Sequence, residues 1–280
     1  MSSRIKTPVS YLALITGASS GIGAAFARAL AARGYDLALT ARRVDRLEAL
    51  ATDLSATYGV DAFVVRQDLS ELGAHQAILD AIAVRGRQVD MLVNNAGFSI
   101  AESFAAVSWS RQQAFLMTLI VNACGLAHGV IPGMVRRGEG RIINVASMAA
   151  FAPGVAGHSL YPGAKSLMLT FSQALDAEYR TNGLRVTAVC PGFTQTEFAQ
   201  ANGTSAMMDA SPRRLFQTPQ EVVTAALRAN DRGEVVVIPG WYNGLAAALL
   251  RGLPAKLVRL ILMRASAKYH LKDQVDARSL

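Results

Sequence analysis

Short apolar runs rich in β-branched residues alternate with longer segments of helical periodicity along most of this chain, and that alternation restricts its fold more than any other feature. Strand-like runs lie at Leu12–Thr16, Leu37–Thr40, Ala62–Arg66, Met91–Asn94, Arg141–Ala146, Arg185–Cys190 and Val235–Ile238. Helical patterns fall between them, near 21–33, 44–57, 71–85, 109–136, 161–181 and 219–230. Most of the strand runs are apolar throughout, as strands must be when helices cover both faces of their sheet. Joined by right-handed crossovers, they predict an α/β chain with a single doubly wound Rossmann domain, a seven-stranded parallel sheet with helices on both faces. No repeat or linker divides the chain. Residues 1–240 are therefore expected to form this domain, and 241–280 a basic, apolar helical extension packed on it.

With 280 residues, 51% hydrophobic and 17% charged, the chain has ample surface for a sizeable core, which excludes disorder. Cys124 and Cys190 form no C-x-x-C pair, and His75, His128 and His270 have no metal-ligand spacing, so neither a disulfide framework nor a metal is expected. The N-terminus runs into a strand with no signal-peptide pattern, which with the two thiols fits the cytoplasm. The net charge of +8 is concentrated at one end. From Trp241 onward seven Lys/Arg face only Asp273 and Asp276, leaving +3 for residues 1–240.

The first strand leads into Gly17-Ala18-Ser19-Ser20-Gly21-Ile22-Gly23 and then an Ala-rich helix. Strand, glycine turn and helix are what a dinucleotide site requires: Gly17 for a tight turn, Gly21 for close backbone approach to a pyrophosphate, Gly23 for helix-on-sheet packing. The anion would rest on the free N–H groups and positive end of the helix dipole. At the end of the second strand the chain reads Thr40-Ala41-Arg42-Arg43, with no carboxylate before Asp45. An acidic residue there would hold a ribose 2′-hydroxyl, whereas arginine suits a 2′-phosphate, so NADP(H) is the cofactor expected.

Further along stand Asn94-Asn95-Ala96-Gly97, Ser147 and Tyr161-Pro162-Gly163-Ala164-Lys165. With these in order after the glycine turn, the chain resembles the short-chain dehydrogenase/reductase family over about residues 10–240. The resemblance implies a nicotinamide cofactor, B-face hydride transfer and interconversion of a ketone and a secondary alcohol. Tyr161 would be the acid/base, with Lys165 four residues on along the same helix face, where its ammonium favours phenolate. Ser147 would hydrogen-bond the carbonyl oxygen, and Asn122 matches the asparagine that supports a water-linked proton relay. The resemblance also puts Asp68 and Leu69 at the adenine, and Asn95, Ala96 and Gly97 along the cofactor. Pro191, Gly192, Thr194 and Thr196 would embrace the carboxamide. Two departures stand out: the Ser147–Tyr161 segment is one residue longer than usual, around His158-Ser159, and Pro162 follows the tyrosine, biasing it away from helical backbone.

Phe98, Met148, Phe151, Phe193, Phe198 and Met207 are candidate pocket residues, and no Arg or Lys stands obviously beside them, which points to an apolar carbonyl or alcohol substrate. Residues 193–218 lack periodicity, as a functional loop would. In the tail, Lys256, Arg259, Arg264 and Lys268 share about half of a helix circumference, so a basic amphipathic helix there can meet an anionic bilayer, cover the cleft or pack on another subunit. The tail weakly resembles that of the long-chain 3-oxoacyl and 17β-hydroxysteroid reductase subgroup, and a homodimer or homotetramer is expected. A non-catalytic NADP-binding regulator would keep the glycine turn but have no need of the Tyr/Lys pair. Nucleic-acid binding is not expected, because no recognition module accompanies the basic tail.

Overall fold

The computed structural model describes residues 10–154, 159–197 and 216–266. Its sheet is built from β1 (Leu12–Thr16), β2 (Asp36–Thr40), β3 (Ala62–Val64), β4 (Met91–Asn94), β5 (Gly140–Val145), β6 (Leu184–Val189) and β7 (Val236–Val237). All pairings are parallel, in the order β3-β2-β1-β4-β5-β6-β7. The chain reverses its winding direction between β1 and β4, and that switch point opens a crevice at the carboxyl ends of the strands.

Alternate residues of β1, β2, β4 and β5 feed two separate cores. Ala13 and Ile15 of β1, with Leu37, Leu39 and Val93, pack beneath α1 (Gly21–Ala31), α2 (Val44–Tyr58) and α7 (Pro219–Asp231). Leu12 and Leu14, with Ala38, Leu92 and Ile142, pack on the opposite face beneath α3 (Ala74–Val84), α5 (Asn122–Arg137) and α6 (Tyr161–Tyr179). All five residues of β1 are buried, which is why its run is apolar from Leu12 to Ile15.

Helix α4 (Trp109–Leu116) continues into α5 through a π turn at Met117–Val121. The 29-residue assembly is long and apolar enough to cross a membrane, but Phe115, Leu119, Leu126 and Met134 are buried in the fold. Two further helices, α8 (Trp241–Gly252) and α9 (Ala255–Ser266), follow β7.

Local chemistry explains where the elements depart from periodicity. Helix α3 begins at Ala74, not 71, because Gly73 holds the left-handed φ of 76°. Strand β2 starts one residue early, at Asp36, whose carboxylate accepts from Asp61 N and Arg87 Nη2, both at 2.8 Å. Helix α7 is opened by a capping box: Thr218 Oγ1 accepts from Glu221 N, and Glu221 Oε2 accepts from Thr218 N.

Gly183, at φ 85°, leads into β6 so close to the Gly138 carbonyl that a Cβ would overlap it. Gly163, in the first turns of α6, has nothing among the described residues within 4 Å of a Cβ and an ordinary φ. Urea unfolding should therefore find Gly183→Ala destabilised by more than about 1 kcal/mol, with Gly163→Ala neutral or slightly stabilised. Equal effects at the two positions would contradict this packing.

Candidate active site

At the switch point the carboxyl ends of β1 and β4 are tied together by one hydroxyl. Thr16 Oγ1 donates to Val93 O at 3.2 Å and accepts from Asn95 N at 2.9 Å and Ala96 N at 3.0 Å. Asn95 Nδ2 returns a bond to Thr16 O at 2.9 Å. Gly17 then turns with φ 67°, and a Cβ on it would lie 2.9 Å from Ala96 Cα. A Cβ on Gly23 would overlap the Gly17 carbonyl, so these two glycines are required by close approach alone. Gly97 faces Leu119 at ordinary contact distance.

Ser20 stands at the N-cap of α1 without capping it. Its hydroxyl instead accepts from Arg43 Nη2 at 2.6 Å, leaving the first-turn N–H groups, from Gly21 and Ile22 onward, for an anionic ligand. Arg43 also donates to Ser19 Oγ through Nε at 3.2 Å and Nη2 at 3.1 Å. Arg42 is mostly solvated, with Nη1 3.9 Å from Asp68 Oδ2. Of the two predicted arginines, Arg43 is therefore the one laid over the glycine turn. Asp68 caps its own turn by accepting from Ser70 N at 2.9 Å, and Leu69 is buried. A flat, glycine-floored cradle with serine hydroxyls and a guanidinium at its rim fits a dinucleotide phosphate.

The chemical end lies beyond β5 and β6. Ser147 caps a 3₁₀ turn (Met148–Phe151), accepting from Ala149 N at 3.1 Å, and its side chain hydrogen-bonds the Tyr161 phenol. Tyr161 opens α6 with Pro162 in the first turn, where a missing N–H costs nothing, so the proline that clouds the sequence reading suits the helix start. Lys165, one turn later, is buried and donates to Val145 O at 2.8 Å, with Nζ 5.7 Å from the Tyr161 ring centroid. Burial lowers the Lys165 pKa to about 8. Burial also pushes the Tyr161 phenol above its ordinary value, while the Ser147 hydrogen bond pulls it down. The sequence led us to expect a lowered phenol; here desolvation is the larger effect.

Asn122 is fully buried and its carboxamide is completely used. Nδ2 donates to Leu69 O and Glu71 O, each at 2.9 Å, and Oδ1 accepts from His75 N at 3.0 Å and Nδ1 at 2.8 Å. The side chain thus fastens the 69–75 segment to α5. Asn94, the first residue of its motif, lies closer to the lysine. A cavity of about 10 Å³ is bounded by Asn94, Thr118 and Lys165 among others, and Asn94 Oδ1 is buried without a hydrogen-bond partner among the described residues.

Beyond β6, Pro191 O accepts from Met148 N at 3.0 Å, and Thr194 Oγ1 donates to Gly192 O at 3.2 Å. Thr194 bridges to Gln217, and the Thr196 side chain faces Gly21. Here the structure contains residues that sequence reasoning missed. Asn243 of α8 donates to Gln217 Oε1 at 3.1 Å and Pro239 O at 2.8 Å, and presses on Gly192 so closely that a Cβ there would meet it at 2.5 Å. No local pattern announces this clamp. Arg46 and Glu197, joined at 2.7 Å, were also missed, although Arg46 lies one turn after Arg43.

Among the pocket candidates, Phe98 stacks edge-on against Phe115, which in turn lies 6.5 Å from Tyr161. Phe193 stacks on Phe216. Phe198, Met207 and His158 lie outside the described residues, as does Lys268. One expectation needs correcting: a cation does stand beside the pocket candidates. The tail folds back and puts the Arg251 guanidinium 5.8 Å from the Phe151 ring centroid.

Residues 11–206 match the short chain dehydrogenase family. A sulfoacetaldehyde reductase 2 from Chromohalobacter salexigens is 34% identical over 232 residues, 81% of this chain and 87% of the relative. A very-long-chain 3-oxoacyl-CoA reductase from Anas platyrhynchos is 32% identical over 221 residues, 77% of this chain and 67% of the relative. The solved structure of a short-chain dehydrogenase from Sphingobium yanoikuyae in complex with NADPH is 32% identical, with a TM-score of 0.74 over 96% of this chain and 100% of that one. The chain belongs to the short-chain dehydrogenase/reductase family, oxidoreductases that act on alcohol and carbonyl groups with a nicotinamide dinucleotide.

The buried lysine makes a pH prediction. Lys165 holds its proton less tightly folded, at about 8, than at its ordinary 10.5. The cost of burying its charge is therefore fully present below pH 8 and is relieved as pH rises from 8 toward 10.5. Over that window the wild-type chain should gain stability relative to Lys165→Met in thermal unfolding. Parallel pH curves for the two proteins would refute the depressed pKa.

Proposed function

We propose that this chain is an NADP(H)-dependent ketone reductase and secondary-alcohol dehydrogenase acting on apolar, lipid-like substrates. One observation carries the reading: Ser147, Tyr161 and Lys165 converge beyond β5 and β6, at the same sheet end as a glycine cradle rimmed by arginine. In reduction the cofactor supplies the hydride to the carbonyl carbon. Ser147 holds the carbonyl oxygen by a hydrogen bond as charge develops there. Tyr161 gives its phenolic proton to that oxygen, and the resulting phenolate is stabilised and reprotonated from the Lys165 side. A lysine with a pKa of about 8 is still protonated at neutral pH yet gives up its proton readily, which suits this role. The small cavity beside Lys165 and Asn94 is the size of one water and supports a water-linked continuation of the relay. Asn122 serves that relay by positioning, since its own side chain is committed to the 69–75 segment.

Arg43 on Ser19 and Ser20, Arg42 beside it and the lack of a carboxylate at the end of β2 support NADP(H). The Phe98–Phe115–Tyr161 succession supports an apolar substrate body, and Arg251 beside Phe151 leaves room for a polar or anionic head. The two curated relatives are named for substrates as unlike as sulfoacetaldehyde and very-long-chain 3-oxoacyl-CoA, so substrate choice rests on these side chains. Exposed Trp109, Val121 and Leu167 on α4 to α6 are the surface we assign to a second copy in a homodimer or homotetramer.

Tyr161→Phe keeps the ring and removes the proton. With NADPH and a panel of bulky ketones, kcat should fall by at least about a hundredfold while NADPH binding is retained. Turnover near the wild-type rate would end this mechanism.

A second reading concerns α8 and α9. Trp241, Leu245, Leu249, Leu257 and Leu260 are all exposed along them, residues 241–266 include no Asp or Glu, and Arg251, Lys256 and Arg259 are exposed too. Two 12-residue helices, each roughly 18 Å long, cannot cross a bilayer but can lie in its interface. A second copy would bring like charge to like charge across a two-fold interface, so the basic, apolar face suits anionic lipid. In vesicle sedimentation the full chain should prefer phosphatidylglycerol over phosphatidylcholine, and Lys256→Glu with Arg259→Glu should weaken that binding at least about tenfold. Failure of the wild-type chain to bind either vesicle would rule this reading out.

A further inference from the structure

In the loop after β6, Glu197 reaches back across the mouth of the glycine turn to helix α2. Its Oε2 accepts from Arg43 Nη1 at 3.0 Å and from Arg46 Nη1 at 2.7 Å, and its Oε1 accepts from Arg46 Nη1 at 2.9 Å. The other edge of the Arg43 guanidinium is spent on Ser19 and Ser20. One carboxylate therefore bridges two guanidinium groups, Arg43 just after β2 and Arg46 in the first turn of α2, and Arg43 is the arginine laid over the glycine turn of the two that the NADP(H) reading offers the 2′-phosphate.

We propose that Glu197 is a cofactor-selectivity residue, whose carboxylate occupies the guanidinium edge an adenosine 2′-phosphate requires and is exchanged for that phosphate on binding. The inference rests on the NADP(H) reading above. Arg43 has no idle edge: Nε and Nη2 face serine oxygens, and Nη1 faces Glu197. A phosphate arriving there meets a carboxylate already in place, and two anions crowded on one guanidinium repel. The phosphate brings more charge and more acceptor oxygens, so it wins the exchange, but its affinity is reduced by the bonds it replaces. A 2′-hydroxyl carries no charge and displaces nothing, so NADH binding is not reduced in this way. Glu197 and both arginines are about half exposed, which keeps each ion pair weak enough to be displaced. The Thr196 side chain already meets Gly21, so the loop carrying Glu197 touches the turn where the rest of the nucleotide lies. Exchange at Arg43 would thus leave this loop tied to α2 through Arg46 as the cofactor arrives.

The test is equilibrium binding of NADPH and NADH to the full-length protein without substrate, read by nicotinamide fluorescence, with 2′-AMP and 5′-AMP as hydride-free probes. Glu197→Gln should tighten NADPH and 2′-AMP by roughly three- to ten-fold, the scale of exposed ion pairs, and leave NADH and 5′-AMP unchanged. The gain should shrink as salt is raised. Unchanged or weaker NADPH binding by Glu197→Gln overturns the exchange, the latter meaning that the carboxylate holds the arginines for the phosphate. Arg43→Ala separates the two layers of the argument. If it weakens NADPH selectively while Glu197→Gln brings no gain, only the exchange fails. If it weakens both cofactors equally, the phosphate reading of Arg43 fails with it.

Discussion

Everything functional in this chain hangs on how closely three pieces of backbone approach one another where β1 and β4 part. Gly17, Ala96 and Gly23 leave no space for another Cβ, and the Thr16 hydroxyl closes the junction by serving Val93, Asn95 and Ala96 at once. Because neighbouring strands at a switch point feed helices on opposite faces, a crevice opens there without any side chain having to be sacrificed. The close approach fixes the angle at which α1 leaves the sheet and aims its first N–H groups into that crevice. A dinucleotide site is the natural use of such a geometry.

The second constraint is a charge kept out of water. Lys165 is buried, and its Nζ donates to the Val145 carbonyl at the end of β5. That environment disfavours the ammonium enough to bring its pKa to about 8. A structural lysine would gain nothing from such a position, whereas a proton donor needs a pKa near the working pH. The surrounding polar chain is well ordered for its depth: Asn94 donates to Asn144, Asn144 to Ser172, and Ser172 to the α6 backbone. It spans β4, β5 and α6, so the helix carrying Tyr161 and Lys165 is registered against the sheet by hydrogen bonds as well as packing.

The C-terminal helices are joined to this machinery physically. Asn243 anchors α8 to Gln217 and presses on Gly192, and Arg251 lies over Phe151. Through these contacts a segment without any of the proposed acid/base groups braces both the loop after β6 and the turn after Ser147. Contact of the tail with lipid or another subunit would be felt at the rim of the crevice.

The fold class was legible in the sequence because strand burial on both faces leaves an unmistakable apolar run, and the glycine turn because only glycine tolerates those backbone approaches. Tyr161 and Lys165 were legible as a pair one helical turn apart, and Ser147 joined them through the family resemblance. Element ends were less so, since they depend on single events such as the left-handed φ of Gly73 or the pairing of Asp36 with Arg87. What only the tertiary structure decided were contacts between residues far apart in the chain. The commitment of Asn122 to the 69–75 segment, the choice of Arg43 over Arg42 at the turn, the closure of Glu197 on α2 and the Asn243 clamp are all of this kind. A sequence determines periodicity and backbone tolerance locally, through each residue's own conformational preferences. Which polar groups meet, and whether burial or a neighbouring charge prevails at Tyr161, depends on distances that exist only once the sheet has brought its strand ends together.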